Sequence, residues 1–204
     1  MRILVLANEK SFLELSELST DIDWLKADDF TSFDNDENAD AYFNLMDNAG
    51  RKSYLNDSKP IFINSVTHKL QDYNQKQNII RFNGWNGFIK RNTWELSGKI
   101  NAAAETVLQK LNKKQAVLSD EPGFISPRVI SMIVNEAYFA KQEKVSTEEE
   151  IDIAMKLGTN YPKGPFEWGR EIGINNIYEL LKILSVSDKR YQPAALLELE
   201  ALKK

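Results

Sequence analysis

The chain has 204 residues, 42% hydrophobic and 10% aromatic, with 26 basic against 30 acidic side chains and a net charge of −4. A chain of this length buries roughly 70% of its unfolded surface, so it needs no disulfide or metal to hold a core. The slightly acidic balance gives no electrostatic case for a nucleic-acid partner. The absence of cysteine excludes disulfides, thiol catalysis and cysteine-ligated zinc, and the single histidine, His68, excludes a multi-histidine metal site.

The opening stretch, MRILVLANEK, is apolar for only six residues, too short for a signal peptide or a membrane span. With the lack of cysteine, this points to a cytoplasmic protein that does not engage a membrane. Arg2 to Ala7 predicts a strand buried on both faces, Ser11 to Leu18 a short helix, and Ile22 to Lys26 a second strand. Asp21, Asp23, Asp28, Asp29, Asp34, Asp36, Glu37 and Asp40 then crowd into a stretch that reads as a solvated acidic loop. Its run 34–38 has a superficial calcium-loop spacing. It lacks the turn glycine, however, and Leu45 stands where a bidentate glutamate belongs. Ala39 to Met46 and Pro60 to Asn64 are further buried strands, and Gln77 to Phe82 and Thr93 to Leu96 weaker ones. Ala104, Val107, Leu108 and Leu111 fit an amphipathic helix from Ala102, and Gln115 to Leu118 returns to strand. This alternation is that of an α/β layer architecture.

After Pro122 every element is helical. Ser126-Pro127 reads as an N-cap followed by proline, with Ile130, Ile133, Val134, Ala137 and Ala140 on one apolar face. Ser146 to Glu149 has capping-box spacing, and Gly158 is placed to close that helix. Pro162 and Gly164-Pro165 punctuate a turn, and helices follow over Ile177 to Ile183 and Ala194 to Leu202. The reading is therefore two domains: α/β over 1–120 and all-α over 121–204.

The segment Asp120-Glu-Pro-Gly-Phe-Ile-Ser-Pro-Arg-Val129 resembles the D-x-P-G-F-x-x-N-R motif that opens the C-terminal domain of 3-hydroxyacyl-CoA dehydrogenases. Asn135-Glu-Ala137 resembles the family's N-E-A. Asp152 through Gly158 matches its D-x-A-M-K-x-G, and Tyr161 to Glu167 with Ile172-Gly-Ile174 matches the elements after it. Upstream, Arg81-Phe-Asn-Gly-Trp-Asn-Gly-Phe88 is similar to the family's G-x-H-F-F-N-P. Asn86 falls on its asparagine, and Glu95 on the glutamate of its catalytic dyad. Ile61 to Thr67 is similar to the strand and turn carrying the active-site serine, which puts Thr67 at that position. The resemblance implies a Rossmann-like parallel-sheet domain followed by a helical dimerisation domain of the 6-phosphogluconate dehydrogenase C-terminal type. It also implies NAD as cofactor, and fatty-acid oxidation chemistry in which a histidine takes the hydroxyl proton as NAD accepts hydride.

Several departures bear on that chemistry. The catalytic histidine's position is Asn83, whose amide has no usable pKa, so Glu95 has no imidazole to orient. His68, next to Thr67, is the one candidate substitute base. The family asparagine of the N-R pair is Pro127. A dinucleotide fold needs glycines directly after its first strand, yet here Asn8-Glu-Lys-Ser11 follows, and the first glycine is Gly50. Asp28 or Asp29 stands where an acidic ribose contact would be. The shortened front domain leaves no room for the family's helical arm, and its glycine-and-aromatic tail is missing. Trp85, Phe88 and Trp94 crowd the degenerate segment, either refilling a lost cavity or forming an apolar patch.

Three readings stay open. The first is a relative without NAD or hydride transfer, a homodimer that binds an acyl-CoA, another ligand or a protein partner. The second is an active dehydrogenase using substitute residues, and the third a purely structural or regulatory dimer. For the dimer, Ile130, Ile133, Val134, Ile174, Ile177, Leu180, Leu181 and Ile183 offer more apolar surface than a helical half of roughly 80 residues can bury alone.

Overall fold

The computed structural model describes residues 1–46, 54, 58–73 and 78–203. Two compact units make up the chain, Met1–Glu121 and Pro122–Lys204.

The first unit is α/β. Its strands are β1 (Arg2–Leu6), β2 (Asp23–Lys26), β3 (Ala41–Asn44), β4 (Ile61–Asn64), β5 (Ile79–Phe82), β6 (Thr93–Ser97) and β7 (Lys114–Val117). Its helices are α1 (Glu9–Ser16), α2 (Phe30–Asn35) and α3 (Ala102–Lys110). Among the described residues the sheet order is β2-β1-β3-β4-β5-β6-β7. It is parallel throughout except where β5 meets β6.

Central strands buried on both faces explain the unbroken apolar runs. Ile3, Val5, Phe43, Phe62, Ile80, Phe82 and Trp94 face one side, packed with Val107 and Leu108 of α3. Leu4, Leu6, Tyr42, Ile61, Ile63 and Ile79 face the other, with Phe33 of α2. Strand order reverses at β1, whose neighbours are β2 on one side and β3 on the other. A doubly wound sheet opens its crevice at that point, beyond the carboxyl ends of its strands.

Two expectations need correction here. The acidic stretch is not simply a solvated loop. Asp29 caps α2 by accepting from Ser32 N at 2.8 Å, and Asp36 Oδ1 accepts from the amides of Asn38 and Ala39. Asp40 takes the amide of Arg2 and Asp23 its guanidinium, so these acids fold the chain locally. The strand expected from Gln77 begins at Ile79, and position 77 lies outside the described residues.

The second unit is all helix: α4 (Ser126–Gln142), α5 (Glu148–Thr159), α6 (Pro165–Ile172), α7 (Ile174–Ser185) and α8 (Ala195–Ala201). α4 packs on α6, α7 and α8, and Val134, Ile177, Leu180 and Leu181 are fully buried. Ser126 begins α4 rather than capping it, because Pro127 occupies the first turn and Ile125 precedes it without a side-chain cap. The capping box sits one residue later than expected, between Thr147 and Glu150. Gly158 lies inside α5, and Asn160, at φ 55°, takes the left-handed position instead. An amide side chain tolerates that conformation better than most residues do. The Gly164-Pro165 turn opens α6, a helix absent from the sequence reading, with proline at its first position.

Among the described residues no helix is long and apolar enough to cross a membrane.

Candidate functional site

The carboxyl edge of the sheet is rimmed by asparagines. Asn44 ends β3, Asn64 ends β4 and Asn83 follows β5. Asn44 Nδ2 donates to the Tyr54 hydroxyl at 2.9 Å, and its Oδ1 accepts from Met46 N at 3.0 Å. Asn64 Oδ1 accepts from Gly84 N at 3.1 Å, fixing the turn after β5. Because β6 runs antiparallel to β5, Glu95 comes opposite Asn83. Their backbones join through Asn83 N and Glu95 O at 3.2 Å. Their side chains meet too, with Asn83 Nδ2 donating to Glu95 Oε2 at 3.3 Å. Glu95 thus has no imidazole to orient, but its carboxylate accepts from the Asn83 amide instead. The geometry expected of a histidine–glutamate dyad is present, twelve residues apart, with a neutral amide in the imidazole's place.

Thr67 and His68 pair with each other, Thr67 Oγ1 to His68 Nδ1 at 3.0 Å, on the turn between β4 and β5. Ser65 steadies that turn through His68 O and the Tyr73 hydroxyl. Beneath it lies Arg81, wholly buried, at the position of the family's glycine. Its Nε donates to Ser65 O at 3.0 Å, and its Nη1 pairs with Asp120. Asp120 also accepts from Leu70 N, and Lys69 Nζ lies 2.8 Å from Glu121. Burial pulls the Arg81 guanidinium below its ordinary value while Asp120 acts to raise it. A guanidinium stays charged under such shifts, so this pair positions backbone and moves no proton. The sequence reading did not foresee Arg81; a charged residue inside an otherwise apolar strand was the available signal.

At the β1–α1 turn the Asn8 side chain accepts from Ser11 N at 2.9 Å, and Glu9 pairs with Lys26 at the end of β2. The α1 N-terminus thus carries its own cap and an acidic side chain where a pyrophosphate would lie. Of the two candidate ribose contacts, Asp29 is committed to capping α2 and Asp28 is exposed. Ser11 and Glu14 on α1, with Glu17 at its C-cap, grip the turn after β5. Ser11 Oγ donates to Asn86 Oδ1 at 3.3 Å, Gly87 N to Glu14 Oε1 at 3.1 Å, and Lys90 Nζ to Glu17 at 2.6 Å. Trp85, Phe88 and Trp94 are buried and leave no apolar patch there. Trp94 packs edge-on against Phe43 and at a tilt against Phe82. Among the described residues no cluster of carboxylates or histidine is arranged to hold a metal.

The helical unit supplies the decisive comparison. Residues 123–202 match the family model described as 3-hydroxyacyl-CoA dehydrogenase, C-terminal domain. This helical unit is therefore similar to the C-terminal domain of the 3-hydroxyacyl-CoA dehydrogenases. The chain is 42% identical over 97 residues to the 3-hydroxyadipyl-CoA dehydrogenase of Escherichia coli, an alignment taking in 47% of this chain and 20% of that protein. The chain therefore matches only about a fifth of that curated relative's length. The fold as a whole is similar to that of FadB2 from M. tuberculosis, with a TM-score of 0.76 at 14% identity over 98% of this chain and 93% of that one. The (S)-3-hydroxybutyryl-CoA dehydrogenase of Ralstonia eutropha gives a TM-score of 0.71 at 14% identity, covering 97% and 92%.

The matching family motifs prove to be scaffold. Asp152, buried in α5, accepts from Phe166 N at 2.8 Å and Glu167 N at 3.2 Å, closing the N-terminus of α6. A Cβ on Gly164 would come within 2.2 Å of Asp152 Oδ1, so only glycine admits that close approach. Glu167 returns to accept from Gly164 N, and Lys156 pairs with it, which holds the Glu167 carboxyl below its ordinary value. Asn135 donates to Gln192 O and accepts from Ala194 N, stapling α4 to the approach of α8. Pro127, at the family's asparagine position, is buried in the first turn of α4. A cleft of about 360 Å³ between α4 and α6 is lined by Tyr138, Glu148, Phe166, Arg170 and Glu200. Its charges are matched internally: Glu148 pairs with Lys141 and Arg170, and burial with the Glu200 contact raises the Tyr138 phenol.

Proposed function

We propose that this chain neither holds NAD nor transfers hydride, and that it acts as a homodimeric binder of an acyl-CoA or another small ligand. The observation that carries the reading is the Asn83–Glu95 pair, in which an amide occupies the place of the general base. An amide can donate to a carbonyl but cannot take the proton of a hydroxyl near neutral pH. The capped, glycine-free β1–α1 turn supports the absence of the cofactor. Cβ atoms and the Glu9 carboxylate oppose a pyrophosphate there.

Calorimetric titration of the full chain with NADH and with acetoacetyl-CoA tests this directly. The expected result is heat on adding the thioester and none on adding NADH. A micromolar dissociation constant for NADH would overturn the reading. So would thioester-dependent NADH oxidation that disappears in His68→Ala, which would identify the substitute base.

For the dimer, only part of the surface the sequence suggested is open. Ile130, Val134, Ile177, Leu180 and Leu181 are buried within the protomer and Ile133 and Ile174 partly so, whereas Ile183 is exposed, and Val129, Ile153, Leu157 and Leu199 are more than half exposed. Two-fold association would cover these and bury upwards of roughly 1,000 Å². A mass by light scattering near the 23.4 kDa of one chain would defeat it.

A further inference from the structure

The turn after β5 holds two Asn-Gly pairs three residues apart, Asn83-Gly84 and Asn86-Gly87, in opposite surroundings. In such a pair the backbone nitrogen of the glycine can attack the asparagine Cγ, because no side chain obstructs ring closure. That attack needs a base on the glycine N–H and a donor on the asparagine carbonyl, where negative charge develops. Asn86-Gly87 has both. Gly87 N donates to the Glu14 carboxylate at 3.1 and 3.4 Å, and the buried Ser11 hydroxyl donates to Asn86 Oδ1 at 3.3 Å. Gly87 is also exposed, at a φ of 83°, so water reaches the turn. Asn83-Gly84 keeps a donor on its carbonyl, Trp85 N at 3.4 Å, but lacks the base. Gly84 N faces the neutral amide of Asn64, both residues are buried, and Glu95 holds Asn83 Nδ2, the group that would have to leave.

We propose that the fold catalyses conversion of Asn86 to a succinimide and then to aspartate or isoaspartate. The bond from Gly87 N to Asn86 Cγ forms as Glu14 takes the amide proton, and Ser11 stabilises the oxyanion. The Cγ–Nδ2 bond then breaks, the proton passes from Glu14 to the departing nitrogen, and ammonia leaves. Water opens the ring at either carbonyl. Both products set a new carboxylate near that of Glu14, and like charges part the turn from α1. The site is thus a one-way switch beside the Asn83–Glu95 pair, and it needs no bound ligand.

The test is to incubate the full chain folded and in concentrated urea, and to follow both asparagines by peptide mapping with isoaspartyl methyltransferase labelling. The folded chain should convert Asn86 about tenfold faster than the unfolded chain, leaving Asn83 intact. Ser11→Ala and Glu14→Gln should each bring the folded rate down towards the unfolded one. Folded Asn86 converting no faster than unfolded, Asn83 converting alongside it, or Glu14→Gln accelerating the reaction would each overturn the proposal. If circular dichroism shows a variant unfolded, the comparison of folded and unfolded unaltered chain decides alone.

Discussion

Asp152 in the helical unit and Asn83 in the α/β unit are both buried polar side chains at motif positions, and they answer to different demands. Asp152 keeps the family's residue because two amides at the start of α6 would lose their acceptor without it. Asn83 departs from the family's residue, yet still bonds Glu95 and leaves β5 and β6 in register. A residue that closes a helix end cannot be exchanged without unsatisfied backbone. A residue that moves a proton can be exchanged for any neighbour of similar reach. The helical unit thus preserves structure, and under the proposed function the α/β unit preserves its sheet without the hydride-transfer chemistry.

Substitutions can break that contrast, the largest effect first. Arg81→Ala should cost about 3–5 kcal/mol, since it takes the guanidinium from Asp120 and the Nε donor from Ser65 O and empties a fully buried volume. Urea unfolding checks it, and a loss under about 1 kcal/mol would show that the pair is dispensable. Asp152→Ala should cost about 2–4 kcal/mol, with the loss reported by amide exchange in α6. Asn135→Ala should cost about 2 kcal/mol by freeing Ala194 N and Gln192 O together. Asn83→His should change stability little and leave NADH oxidation at zero, because restoring the base does not restore the β1–α1 glycines; measurable turnover would place the whole defect at position 83.

The smallest effect concerns acid. Lys156 and the Gly164 amide hold the Glu167 carboxyl below its unfolded value, so their contribution is present above that value and fades as pH falls through the folded one. Lys156→Met should therefore flatten the acid limb of the stability curve, measured as thermal midpoint against pH.

Much of this was legible in the sequence, for physical reasons. β1, β3 and β4 are short, continuous apolar runs that only a sheet buried on both faces accommodates. The Asn83–Glu95 spacing was legible because a resemblance supplied it. The antiparallel β5–β6 pairing that makes their contact was not, since strand direction leaves no mark in periodicity. α2 was hidden because six residues bury only Phe33, and its signal was the Asp29–Ser32 cap. The grip of Ser11, Glu14 and Glu17 on the following turn was missed although their three-residue spacing is a helical face.

β2 and β7 are the outer strands of the sheet among the described residues, and an outer strand is where another chain's backbone could add to a sheet. β2 opens with Asp23 and closes with Lys26, and β7 opens with Lys114, all three exposed. Joining either edge to another chain would desolvate one of these charges, which discourages stacking into fibrils. Uncharging the rims, as in Asp23→Val with Lys26→Val, should make the protein prone to amyloid-like assembly even where its fold and stability are untouched.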